Sequence, residues 1–269
     1  LSQQDYANTD LWEQINLIEV RTPVQAFIHE SSMNAAGALT LNALANQTVN
    51  AVVVAGSGAI SGGGTVGVGL SGAGVSADNR ISVNVRAYID GDGTSGIQAA
   101  RVSLSADDTS TITADAGAAS LAASFSGTAA ASISIGVSIA TNAITNQVQA
   151  YIVNVDSSPG LTATAGDVAI TATERATVDA LSVAASLSVA VSMVGVALSG
   201  AGANATNVIA NDVEAYIQDS IVTATAGDVN VEAESSSTIS AIVGAVSAAV
   251  SGGLVAVSGS IGVSLGRNL

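Results

Sequence analysis

Along most of this chain, larger aliphatic residues alternate one for one with small ones. Leu181, Val183, Ala185, Leu187, Val189, Val191 and Met193 fall on one parity, and Ser182, Ala184, Ser186, Ser188, Ala190 and Ser192 on the other. The same alternation runs through Val66–Leu70, Ile133–Ile139 and Ile261–Leu265. A period of two is the signature of extended strands, whose successive side chains point to opposite faces. One face carries Val, Ile and Leu. The other carries Gly, Ala and Ser, small enough for a second sheet or another subunit to come close. Leu181–Ala203 is long and uncharged enough to suggest a membrane-spanning helix. Its period is two, however, serine is frequent, and flanking Trp, Tyr or Lys anchors are missing. A membrane barrel would want aromatic girdles, which the chain lacks. The pattern therefore predicts no membrane insertion.

The strands recur in a long repeat. The motif V-x-A-[F/Y]-I stands at Val24–Ile28, Val85–Ile89, Val148–Ile152 and Val213–Ile217. Each copy is followed by a block of two aliphatic residues and an Ala at alternate positions, four residues, and then Thr-[Val/Ile]-x-Ala. That block is Leu39, Leu41, Ala43, Thr48, Val49, Ala51 in the first unit and Val229, Val231, Ala233, Thr238, Ile239, Ala241 in the fourth. Its inner spacing is the same in all four units. The length variation falls in turns such as Asp90–Gly96 and Asn154–Gly160, which is how stacked repeats behave. The units cover about residues 24–84, 85–147, 148–212 and 213–269.

Two architectures fit. The preferred one is an all-β, elongated parallel β-solenoid or β-helix, each unit giving two or three rungs with corners such as Ala165-Gly166-Asp167 and Ala226-Gly227-Asp228. The alternative is a long-stranded antiparallel meander. Residues 1–23 differ from the rest, holding the only tryptophan, Trp12, with Tyr6 and a group of charges. Asp10 and Glu13 have capping-box spacing for a short helix. The segment is expected to cap the first rung or to dock on a neighbouring subunit. In the first three units an Asn stands six residues before the next motif, at Asn79, Asn142 and Asn207, and Asn268 takes the corresponding place in the fourth. The last residues stop short of where a fifth motif would begin. An uncovered stack end exposes unpaired backbone groups, so the expectation is that another subunit, or a further segment, covers it head-to-tail.

Composition narrows the partners. The net charge is −15, lysine and cysteine are absent, and charged residues make up only 10%. Without a basic patch to displace phosphate counterions, nucleic acid is excluded as a partner. Aromatic residues are 3%, so the apolar mass is short aliphatic side chains that suit thin, closely stacked sheets.

Chemistry has little to work with. His29 is the only histidine, so a histidine-based catalytic or metal cluster would have to include it. It falls in a turn after the first motif, where a solvated residue is expected. Glu232 and Glu234 share a strand face, where they keep the outside soluble. The best metal candidates are Asp90 and Asp92 in the turn Asp-Gly-Asp-Gly, which would suit calcium, but the rest of a twelve-residue calcium loop is missing. No catalytic residue, cofactor site or enzymatic activity is expected.

The combination of V-x-A-Y-I, T-A-T-A-G-D-V and S-G-A-G-A resembles the repeat regions of giant bacterial surface and secreted adhesins, broadly like filamentous haemagglutinin. The resemblance implies a β-solenoid or related fibre, export to the cell surface, and a role in adhesion, biofilm matrix or cell-to-cell contact. The expected function is a non-catalytic structural subunit of an extracellular filament or fibrous adhesin. It would assemble with itself head-to-tail, with cell-surface glycans or neighbouring cells as further partners. The alternative is a calcium- or carbohydrate-binding module of a larger surface adhesin.

Overall fold

The computed structural model describes residues 21–269. The expectations placed on residues 1–20, including Trp12 and the helix capped by Asp10 and Glu13, lie outside the described residues. The rest is a parallel β-solenoid of four coils built from four sheets, each sheet taking one strand from every coil. A motif sheet holds β1 (Thr22–His29), β5 (Val83–Asp90), β9 (Gln147–Val153) and β13 (Asp212–Gln218). A corner sheet holds the short β2 (Met33–Asn34), β6 (Ile97–Ala99), β10 (Leu161–Ala163) and β14 (Val222–Ala224). An outbound sheet holds the long β3 (Ala38–Gly63), β7 (Arg101–Ser126), β11 (Val168–Val191) and β15 (Val229–Gly252). A return sheet brings the chain back through β4 (Val66–Ile81), β8 (Ala129–Ile144), β12 (Val194–Ile209) and β16 (Val255–Asn268).

Every pairing within these sheets is parallel, which rules out the meander. The repeats meet in register: Val24, Val85, Val148 and Val213 stand one above the next, as do Thr48, Thr111, Thr177 and Thr238. The expectation of two or three rungs per unit is corrected, because each unit makes one coil. The reason lies in the charge-free half of each unit. It is not a separate rung. It is the far end of the outbound strand folding back on the return strand, so that together they form a fin.

Body and fin have opposite cores. In the body, the motif sheet, the corner sheet and the near end of the outbound sheet enclose large aliphatic side chains, among them Val85, Ile89, Ile97, Leu104, Ile152, Leu161 and Ile170, all fully buried. Burial of such side chains is the main stabilising term of a fold. In the fin, the small-residue faces of the outbound and return sheets turn inward. Buried Ser120 and Ser134 lie 2.7 Å apart through their hydroxyls, Ser132 and Ser188 2.6 Å, and Ser138 and Ser182 2.9 Å. Apart from Val53, Val75 and Val243 near the base, the facing positions are held to small residues by the closeness of the sheets. A Cβ added at Gly69 would stand 2.7 Å from the Ala123 carbonyl oxygen, and one at Gly136 2.7 Å from that of Ala185.

At the base of the fin, the four recurring asparagines become one amide ladder. Asn79 Nδ2 donates to Asn142 Oδ1 at 2.9 Å, Asn142 Nδ2 to Asn207 Oδ1 at 2.8 Å, and Asn207 Nδ2 to Asn268 Oδ1 at 2.9 Å. Asn142 and Asn207 are fully buried. A neighbour's removal therefore leaves polar atoms with neither protein nor water partner, at about 1–3 kcal/mol for each such group.

Two substitutions test this packing. Gly136→Val should lower stability by about 1–3 kcal/mol, read by thermal melting of the far-UV signal. Asn142→Ala should lose at least as much, because it orphans both Asn79 Nδ2 and Asn207 Oδ1.

Candidate functional site

The turn that holds Asp90 and Asp92 is shaped by three glycines in left-handed conformations, with φ of +80° at Gly91, +62° at Gly93 and +73° at Gly96. It is held by contacts between coils. Asp90 Oδ2 lies 3.4 Å from His29 Nδ1 in the coil before, and its Oδ1 accepts from Asn154 Nδ2 at 2.8 Å in the coil after. Asp92 is buried, and its Oδ1 accepts from the Ser157 amide at 3.4 Å. Its carbonyl accepts from Ser32 Oγ at 2.8 Å, while Oδ2 has no partner. A calcium ion needs six to eight oxygens. Here an amide N–H already occupies one Asp90 oxygen, and no group of three or more His, Cys, Asp or Glu converges among the described residues. The contacts of Asp90 and Asp92 clasp the turn to the coils on either side.

His29 sits at the end of β1 with an exposed side chain, in contact with Asp90 alone among ionisable groups. Glu232 and Glu234 lie exposed on β15. The aromatic residues of the four motifs stack outside the motif sheet. Ring centroids are 5.2 Å apart for Phe27–Tyr88, 4.9 Å for Tyr88–Tyr151 and 5.0 Å for Tyr151–Tyr216, all near parallel. Each inner ring has both faces covered by its neighbours, so Tyr88 and Tyr151 offer only their edges.

Among the described residues the most strongly perturbed group lies at the neck between body and fin, while burial also raises the Tyr151 and Tyr216 hydroxyls of the stacked column. Asp108 on β7 and Glu174 on β11 are register partners in adjacent coils, and both are fully buried. Asp108 Oδ2 accepts from Ser110 Oγ at 2.8 Å and from Asn146 Nδ2 at 2.8 Å. Glu174 Oε1 accepts from Asn211 Nδ2 at 2.7 Å and from Asn146 Nδ2 at 3.3 Å. The remaining oxygens, Asp108 Oδ1 and Glu174 Oε2, have no other partner. Burial first, and then the Asp108 carboxylate, push the Glu174 carboxyl up to about 8. Burial also raises Asp108, against the opposing effect of its hydrogen bonds. Two like charges cannot both be kept in such a site, so the pair holds a proton between them. Asn146 donates to both carboxylates, so the pair ties two coils together.

Both outer faces of the fin are apolar. Exposed aliphatic side chains include Leu181, Val183 and Leu187 on the outbound sheet and Ile135, Leu198 and Ile261 on the return sheet. An open furrow of about 410 Å³ runs over Gly200 between Ile135 and Ile261. None of these residues suggested a site in the sequence, because a period of two does not say which face turns outward.

No family model matches the chain, and no curated protein or solved structure matches it either. The repeat and the coil geometry are therefore the basis for assigning a function.

Glu174 gives a pH prediction. Its folded value lies above its ordinary 4.5, so the native state holds the extra proton. The stabilisation is complete below pH 4.5 and disappears as pH rises through about 8. Melting temperature should fall across that window. Glu174→Gln should flatten the fall and melt higher than the parent at pH 8, as measured by calorimetry.

Proposed function

We propose that this chain is a structural, non-catalytic part of an extracellular bacterial filament or fibrous adhesin, extended by stacking coil on coil. The observation that carries the reading is the in-register repetition of one coil per unit. The interface between any two coils is the same interface, so an identical unit can continue it. Coil 4 presents Val229 and Val231, 42% and 45% exposed, where their counterparts Val168 and Ile170 in coil 3 are fully buried. At the other end Phe27, 53% exposed, heads the column that covers Tyr88 and Tyr151. Apolar side chains, amides and aromatic rings at one end thus meet their own kind at the other.

The use of polar residues fits a structural role. Residues that repeat in every coil serve the stack, as Asn142 and Tyr151 do, while Asp90 and Glu174 each accept a hydrogen bond from a neighbouring coil. The lack of lysine and cysteine and the charge of −15 suit a fibre surface that resists nonspecific contact outside the cell.

Electron microscopy of the purified chain over a concentration series tests the proposal. Filaments are expected, with a spacing near 4.8 Å along the axis from the coils and about 19 Å per four-coil chain. Single short particles at every concentration would sink self-assembly as the route to a fibre.

A further inference from the structure

The fin's return face carries a second pattern, independent of the coil edges that the filament reading uses. Across the coils at one level stand Gly72, Ile135, Gly200 and Ile261, and at the next outward level Gly74, Val137, Gly202 and Val263. At these two levels coils 2 and 4 are ridges and coils 1 and 3 are furrows, whereas nearer the fold-back coils 1 and 3 carry Leu70 and Leu198. The ridge residues are exposed, Ile135 by 52% and Ile261 by 70%.

The fold itself does not ask for these glycines. A Cβ at Gly200 or Gly202 would meet nothing within 4 Å, and one at Gly72 or Gly74 would make only ordinary contacts of 3.8 and 3.9 Å. None has a positive φ. This is the reverse of Gly69 and Gly136, which face the opposing sheet. Glycine inside a strand is unfavourable by about 0.5–1 kcal/mol relative to Ala. Where it is not required from within, it marks close approach from outside.

We propose that the return face packs against the return face of a second copy, about a two-fold axis parallel to the strands. That axis reverses the order of the coils, so coil 1 meets coil 4 and coil 2 meets coil 3. Ile261 and Val263 then enter the furrow at Gly72 and Gly74, and Ile135 and Val137 enter that at Gly200 and Gly202. The charges agree with the same axis. Asp78, which also accepts from Arg80 Nε of its own strand at 3.4 Å, and Arg267 are outward residues of one level, on coils 1 and 4. Reversal sets Asp78 of each copy opposite Arg267 of the other, whereas equal coil order would set Asp78 against Asp78. The face from Val66 to Ser76 across four strands measures about 650 Å² in plan, approaching the roughly 800 Å² that each partner contributes to a stable interface. The outbound face is less suited, because Asp115 interrupts it level with Leu181.

The test uses the full chain in sedimentation and cross-linking. Below the concentration at which filaments grow, the parent chain should be a dimer rather than a monomer. The double variant Gly200→Val, Gly202→Val should keep its far-UV spectrum and melting temperature and weaken dimerisation at least tenfold. Asp78→Arg should weaken it, and adding Arg267→Asp should restore it. Ser76 and Leu265 lie at the same level on coils 1 and 4, about 14 Å apart along the stack. A Ser76→Cys chain mixed with a Leu265→Cys chain should therefore join through a short bis-maleimide, while neither joins to itself. A monomeric parent, a dimer indifferent to the furrow variant, or Ser76→Cys linking to itself would each overturn the proposal. So would uptake of the parent into phosphatidylcholine vesicles, which would give the face to lipid. The furrow variant should still form filaments, so failure of lateral pairing and failure of end-to-end growth are read separately.

Discussion

In a parallel in-register stack, each residue stands directly over its counterpart, about 4.8 Å away. This constraint governs the whole molecule, because each position must tolerate its own likeness. Aliphatic residues, serines, amides and stacked rings do so readily, and the asparagine ladder is stabilised by it, since an amide both gives and accepts. Charges do not. The low charged fraction follows from this, and so does the arrangement where acids do coincide. Asp108 over Glu174 survives inside only by sharing a proton and taking donors from Ser110, Asn146 and Asn211.

The same constraint explains why the two halves of a coil have different interiors. In the body, three sheets enclose enough width for Ile and Leu layers. In the fin only two sheets face each other, and Gly, Ala and Ser bring them together until backbone and hydroxyls fill the gap. The larger residues of the alternating pattern are left outside. The composition that looks hydrophobic in the sequence is therefore divided between a conventional core and a surface.

Much of the fold was legible before the structure. The V-x-A-[F/Y]-I motif, the Thr-[Val/Ile]-x-Ala block and the turn residues locate three of the four sheets, and their fixed spacing is the in-register pairing. The number of rungs per unit was not, since a fold-back is marked by Gly62-Gly63-Gly64 in the first unit but by unlike residues at Ser192-Met193. Asn142 drew notice by its position while its role waited on knowing that coils lie directly above one another. Asp108 and Glu174 could have been found together: each stands two residues after the block alanine, Ala106 or Ala172. They then share one slot, and the alternation turns that slot inward. Asp90 and Asp92 were the residues that chemistry suggested, and the turn ties both of them to the coils on either side.

The outbound strands are 24–26 residues long, which makes the stack about 80 Å broad and only two sheets thick along the fin. A beam of that section resists bending in the plane of the blade far more than across it, since stiffness grows with the cube of the depth in the bending direction. Such an object behaves as a ribbon: it yields readily one way, holds firm the other, and follows a curved surface on its flat side.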